Sequence, residues 1–547
     1  MKFEDSIFIG MTVVFSVLLW FFCDFAEKNK NTKFRAVYMI PAVSGLVLAG
    51  VYGVEIGMVP AYLAVCVLLA GFFTERQRIR KISCVAAVLL AILAVAICVN
   101  APHYRAVDYT EQFEQAVCEL EKHYVLTEEK QIDFDILRKK YKPMFLEAYE
   151  AQDEVAADVA WISFVSEFHD MHVSYVKEDA DSLQSAYDSL YGNDYGLSLM
   201  TLSDGRTVAV NVEPDCVAGE AGIHDGTEIL LWDGKDIAAQ KEQIRVPVMN
   251  FAVKENAAFY AAILVAGLGG EQVEVTYLDD AGEQQAVTLQ KTGSYTKRLE
   301  DTIGKLDAGV AISNLSWQDL SDDTTLLRLR EMSYDAKTYQ SADYTAMKNA
   351  LEREILAHKE QGFQNLILDL RCNGGGSGDY VKVLLELFAP EGEHTYAYDG
   401  IFDKKTAKYL KNADGTYQTG DGIAYTGQNL WGHGRIVLLV NAQTVSGGDH
   451  FVSVASAFPN VEVMGFTTTA CAGQGIHAVV FEDCALTYSA VLLLQKDGSV
   501  FLDTDAKGTA TVALDHRVML DENAVHAIFE EQRDYVLEQA MQMLSEQ

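Results

Sequence analysis

The sequence has no CxxC pair and no Cys/His spacing of the kind that holds structural zinc, which removes the common zinc modules. It shows no internal repeat and no low-complexity tract, so neither a repeat array nor a compositionally biased segment is expected. No Gly-Lys-Ser/Thr follows its glycine runs, which excludes a P-loop. Positive charge is short: 43 Lys and Arg stand against 78 Asp and Glu, a net charge of −35. Such an acidic chain repels phosphate backbones and argues against nucleic acid as a partner.

The deficit is uneven. Residues 1–100 carry nine Lys/Arg and six Asp/Glu, a balance of +3, which leaves −38 for the rest. Within those hundred residues lie four apolar stretches, Ile7–Phe25, Ala36–Val54, Ile56–Phe73 and Ile82–Val99. Each approaches the ~20 residues an α-helix needs to cross a bilayer. The expectation is a four-helix transmembrane region. The basic loops "EKNKNTKFR" and "TERQRIRK" stay cytoplasmic by the positive-inside rule, so residues after Asn100 are expected outside the cytoplasm of a bacterial, multi-pass membrane protein.

Nine cysteines do not demand a disulfide framework. Five lie beyond the apolar stretches (Cys118, Cys216, Cys372, Cys471 and Cys484), an odd number. Pairing of Cys471 with Cys484 is left open.

Residues 101–190 read as a small helical domain, because "YTEQFEQAVCELEKHYVL", "FDILRKKYKPMFLEAYEA" and "EVAADVAWISFVSEF" repeat apolar residues at three- and four-residue spacing. Over residues 191–292 the texture becomes short alternating runs, "YGLSLMTL", "TVAVNV", "EILLWDG" and "VEVTYL", which are strand-like. With "AGEAGIHDGTEIL" and "WDGKDI" they resemble a PDZ domain. That resemblance implies a peptide-binding loop at Tyr195, Gly196, Leu197 and Ser198, with a peptide end added to a sheet edge; a β-rich spacer without a ligand is the alternative. Residues 293–547 alternate helices with continuous apolar strands such as "NLILDL", "RIVLLVN" and "VEVMGF", the pattern of a largely parallel sheet covered on both faces. Residues 322–344 read as a polar insertion.

Two segments carry chemistry. "DLRCNGGGSG" ends a buried strand in three glycines, poor for packing but suited to offering backbone N–H groups to an oxyanion. "NAQTVSGGDHFVSVASAF" places Ser446 where a strand turns into a helix, with free amides aimed at any developing anion. Alone, that serine reads as an ordinary N-cap.

Together "DLRCNGGG", "SGGD" and "GFTT" resemble the carboxyl-terminal processing, or tail-specific, serine proteases. The order of helical region, PDZ domain and α/β core is similar too, across nearly all of residues 105–547. The resemblance implies a crotonase/ClpP-like core, Ser446 as nucleophile, and an oxyanion hole from Gly375 and Gly447. It implies a protein or peptide substrate whose apolar C-terminal tail the PDZ domain captures. The family's usual general base is a lysine about 25 residues past the serine, but the segment here is "TTTACAGQG" with Cys471 in place, and no lysine occurs between Ser446 and Lys496. A subset similar to the tricorn-protease core uses histidine instead. "FHDMHVSYV" puts His172 in the matching position, and a neutral imidazole accepts a proton near pH 7 without special burial. That subset also implies an orienting carboxylate, at Asp503 or Asp505.

Other residues compete. His169 and His172 make an HxxH spacing without a third ligand motif, and no metal or other cofactor is expected. His477 is a rival base, and His450, one turn after Ser446, is expected to face a neighbour. Cys471 is read as a small buried hydrophobe rather than a nucleophile. The function implied is a membrane-anchored serine endopeptidase acting on extracytoplasmic chains, and the alternative is a non-catalytic receptor or scaffold of the same fold.

Overall fold

A computed structural model describes residues 109–177, 180–244, 251–307, 315–333 and 344–546. All of them fall within one compact unit, Ala106–Gln547. The four apolar stretches of residues 1–100 lie outside the described residues.

The expectation of a four-helix transmembrane region, and of a multi-pass membrane location, is corrected here: among the described residues no helix is long and apolar enough to cross a membrane. The longest described helices are Phe134–Ala151 and Tyr344–Gln361. The first alone carries Asp135, Arg138, Lys139, Lys140, Lys142, Glu147 and Glu150, charges that belong in water.

The helical region comprises α1 (Tyr109–His123), α2 (Phe134–Ala151) and α3 (Glu154–Ser166). Aspartates start the last two: Asp133 accepts the Asp135 and Ile136 amides, and Asp153 the Ala156 amide, satisfying donors that a helix leaves bare. Their apolar faces meet around Phe113, Phe145, Trp161 and Phe164. The short strand β1 (Ser174–Lys177) then leaves this region to pair with a strand from much later in the chain.

The β-rich module follows. β2 (Ser198–Thr201) pairs antiparallel with β3 (Thr207–Val210), while β4 (Ile229–Trp232), β5 (Gln272–Leu278) and β6 (Gln284–Gln290) form a second antiparallel sheet with residues 235–236. Helix α4 (Lys254–Val265) packs on β2, and α5 (Thr296–Leu306) leads out.

The core is a six-stranded sheet. Its order is β7 (Leu315–Asp319), β8 (Thr324–Leu329), β9 (Asn365–Asp369), β10 (Arg435–Leu439), β11 (Val461–Gly465), β12 (His516–Arg517). The first pair is antiparallel and the others parallel. Alternate side chains serve two cores, as a strand's two-residue period requires. Leu326, Ile367, Val437 and Leu439 pack with the β-rich module and the C-terminal helix. Leu327, Leu366, Leu368 and Leu438 pack with α6 (Tyr344–Gln361), α7 (Gly378–Phe388) and α8 (Gly447–Ala455).

The polar insertion expected at 322–344 is corrected in its first part, because Thr324–Leu329 is an inner strand of this sheet. Its threonines are buried with partners: Thr325 Oγ1 donates to Asp319 Oδ1 at 3.0 Å, and Thr324 Oγ1 accepts from Asn365 Nδ2 at 3.2 Å. Residues 334–343 lie outside the described residues. A final sheet joins β1 to β14 (Cys484–Val491), whose other neighbour is β13 (Gly475–Val480).

Candidate active site

Ser446 sits between β10 and α8 with φ 57° and ψ −117°, a conformation that costs a residue with a side chain and persists only where neighbours enforce it. They do. Thr444 Oγ1 donates to Leu370 O at 2.9 Å, the Val445 amide to Asn373 O at 2.8 Å, and the Ser446 amide to Asp449 Oδ2 at 3.2 Å. The turn is thereby fastened to the glycine loop that ends β9.

Asn373 organises that loop from a fully buried position. Its Nδ2 donates to Leu329 O at 2.8 Å, and its Oδ1 accepts the Gly375 amide at 2.9 Å. Gly375 has φ 82° and lies so close to the serine that a Cβ there would stand 2.5 Å from Ser446 Cβ and 2.7 Å from the Gly447 nitrogen. No side chain fits.

The donor expected from Gly375 needs correction, because its N–H is already engaged by Asn373. The amides of Gly376 and Gly447 donate to no acceptor among the described residues, and a Cβ on Gly447 would lie 3.2 Å from the Gly376 nitrogen. Beside Ser446 the unengaged pair is thus Gly376 and Gly447, the requirement for binding an oxyanion. The three-glycine run was the sequence signal for this loop; which of its amides is free depends on the Asn373 side chain.

Asp449, fully buried on the first turn of α8, accepts from three amides: Ser446, Cys471 (3.1 Å) and Ala472 (3.1 Å). Burial pushes its carboxyl up to about 7, against the pull of the Thr469 hydroxyl and these amides. Cys471 is a buried free thiol, held by Thr511 Oγ1 at 3.0 Å and kept protonated by burial. Cys484 is also a free thiol, so the two are not joined.

His172 is buried, and neither ring nitrogen has a hydrogen-bond partner. It is therefore not bonded to Ser446 Oγ in this conformation. Burial holds the imidazole below its usual range, offset in part by the Asp170 carboxylate. The ring faces the Gln474 backbone and lies within electrostatic reach of His450, which is one turn beyond Ser446. His450 is spent on Gly473 O (2.7 Å), and burial drives it down to about 4.

The two candidate acids part company. Asp503 has a buried carboxylate whose Oδ2 accepts the Gly473 amide at 3.0 Å and whose Oδ1 has no partner. Burial and the neighbouring Asp170 charge push it up, while Lys130 pulls it down. Asp505 is exposed and caps its own turn through the Lys507 amide at 2.8 Å, which takes it out of the site. The carboxylate nearest His172 was not foreseen: Asp170 accepts the His172 backbone N–H at 2.8 Å, Tyr124 OH at 3.1 Å and Ser489 Oγ at 2.8 Å. His477 stands exposed on β13, its ring beside Tyr488, and His169 is exposed.

Tyr195, Gly196, Leu197 and Ser198 are all buried in the β-rich module. Tyr195 OH donates to Gly270 O at 2.8 Å and Ser198 Oγ bonds Tyr295 OH at 2.6 Å. The Gly196 amide donates to Asp194 Oδ1 at 2.9 Å, and Arg298 clamps that carboxylate at 2.6 Å. An internal carboxylate thus occupies the loop.

No curated protein matches the chain. Among solved structures it is similar to mature CPAF complexed with lactacystin, at 13% identity and a TM-score of 0.51, covering 80% of this chain and 99% of that one. It is similar to mature CPAF at 13% identity and a TM-score of 0.50, covering 79% and 95%. The tricorn protease aligns at 13% identity with a TM-score of 0.35, covering 80% and 36%. At these identities the CPAF likeness is one of fold. Residues 323–502, which include the glycine loop, Ser446 and the Asp449 cradle, match the family model Peptidase family S41. On that match the protein is a serine-type peptidase.

Proposed function

We propose that the protein is an endopeptidase in which Ser446 is the nucleophile, His172 the general base, and the Gly376 and Gly447 amides the oxyanion hole. The observation that carries this is the pair of unengaged amides beside a serine held at φ 57°. Ser446 Oγ attacks the scissile carbonyl and His172 takes its proton. The carbonyl oxygen gains charge against the two amides, and His172 then returns the proton to the leaving amine. Water releases the acyl group by the reverse sequence. A buried His172 held below its usual range and bonded to no other side chain supports this assignment, because a base must be unprotonated to act. Asp503 holds the Gly473 amide, next to the Gln474 backbone that the His172 ring faces.

Residues 101–190, 191–292 and 293–547 act in this proposal as helical, PDZ-like and catalytic parts. Capture of an apolar tail at Tyr195–Ser198 requires Asp194 to leave the Gly196 amide, in exchange for the incoming carboxylate. The test is labelling by a fluorophosphonate probe together with cleavage of an unstructured polypeptide. Labelling at Ser446, lost in Ser446→Ala along with cleavage, is the expected result. Full cleavage by Ser446→Ala contradicts the proposal.

A further inference from the structure

Lys130 lies in the turn after α1 and is buried. Its Nζ donates to His169 O at 3.0 Å and to Thr504 Oγ1. The first acceptor stands three residues before His172; the second adjoins Asp503. These two segments are more than 300 residues apart in the chain, and one side chain bonds both.

The rest of the turn grips the same place. Tyr124 OH donates to Asp170 Oδ2 at 3.1 Å, and the Val125 amide donates to Ser489 O at 3.0 Å. Ser489 in turn holds Asp170 through its hydroxyl. Residues 124–130 therefore bond the Asp170 carboxylate and both the 169–172 and 503–504 segments.

We propose that Lys130 is a positioning residue, fastening the His172 loop to the Asp503 segment so that base and acid keep one geometry through proton transfer. The proposal rests on the Ser446–His172 assignment above. A cation here also opposes two buried carboxylates, Asp170 and Asp503, that lie close enough to repel each other. Without it, mutual repulsion is relieved only by protonation or by separating the loops. Tyr124, His172 and His450 are the other titratable groups facing this cluster, with Glu129 beside Tyr124.

The experiment compares the full chain with Lys130→Met and Thr504→Val on one peptide substrate, after thermal melts establish which variants fold. Lys130→Met is expected to lower kcat about 10²-fold, the scale of a misplaced catalytic group, with KM within about twofold. The low-pH limb of its kcat/KM profile should move upward. Loss of the Lys130 charge raises Asp503, which then reaches its ionised form at higher pH. Thr504→Val removes one acceptor without unburying the lysine, and should lower kcat about tenfold with a limb shift of the same sign. A folded Lys130→Met with unchanged kcat and limb overturns the proposal, as does an unchanged Thr504→Val when Lys130→Met fails to fold. Wild-type turnover in His172→Ala instead sinks the Ser–His assignment itself, whatever the Lys130 result.

Discussion

The Ser446 backbone N–H donates to Asp449 Oδ2 at 3.2 Å, and the same oxygen accepts the Ala472 amide at 3.1 Å. One buried carboxylate thus couples the Ser446 turn to the segment that holds Cys471. Cys471 in that segment is a buried free thiol, kept protonated by burial.

Asp449→Asn turns an amide donor toward N–H groups that need an acceptor. An unsatisfied buried donor costs about 1–3 kcal/mol, so the variant should unfold at lower urea concentration. Its kcat should fall more than its KM rises, since the Ser446 turn is released. Equal stability and turnover in urea titrations and steady-state assays would remove Asp449 from this role.

The raised Asp449 carboxyl also sets a sign for pH. Its folded value is about 7 and an unfolded aspartate titrates near ~3.9, so the folded state holds the extra proton. The contribution is full below the unfolded value and is lost as pH rises through about 7. Urea titrations at pH 5 and pH 8 should show wild type losing more stability with rising pH than Asp449→Asn loses. The opposite difference would mean the carboxylate is ionised in the folded protein.

Gly375→Ala places a methyl 2.5 Å from Ser446 Cβ at a φ of 82°. The expected outcome is loss of fluorophosphonate labelling at Ser446 and a fall in kcat of about 10²-fold or more. Normal labelling would show that the loop gives way instead.

Much of the core could be read from the chain because its signals are contiguous. A strand, a glycine run, and a serine ahead of an apolar helix each declare themselves within ten residues. Thr324–Leu329 did not, since its buried threonines look polar until their partners at Asp319 and Asn365 are seen. Gly375 and Gly376 could not be told apart, because the choice is made by the Asn373 side chain. Asp503 and Asp505 differ only in which one the fold buries. Asp170 and Lys130 gave no signal, as their partners come from distant strands and turns. The apolar stretches of residues 1–100 lie outside the described residues, and the described helices carry the charges of amphipathic ones.

The most direct test of the central claim is the pH dependence of kcat/KM for the wild type beside His172→Ala. Only the neutral imidazole can take the Ser446 proton, and burial holds His172 below the usual imidazole value of 6.5. Wild-type activity should therefore rise with pH along a limb centred below that value. His172→Ala should lose several orders of magnitude and the limb with it, and His172→Ala/Ser446→Ala should lose little more, because the pair acts as a unit. A His172→Ala enzyme with wild-type turnover and an unchanged limb would contradict the assignment of His172 as the base.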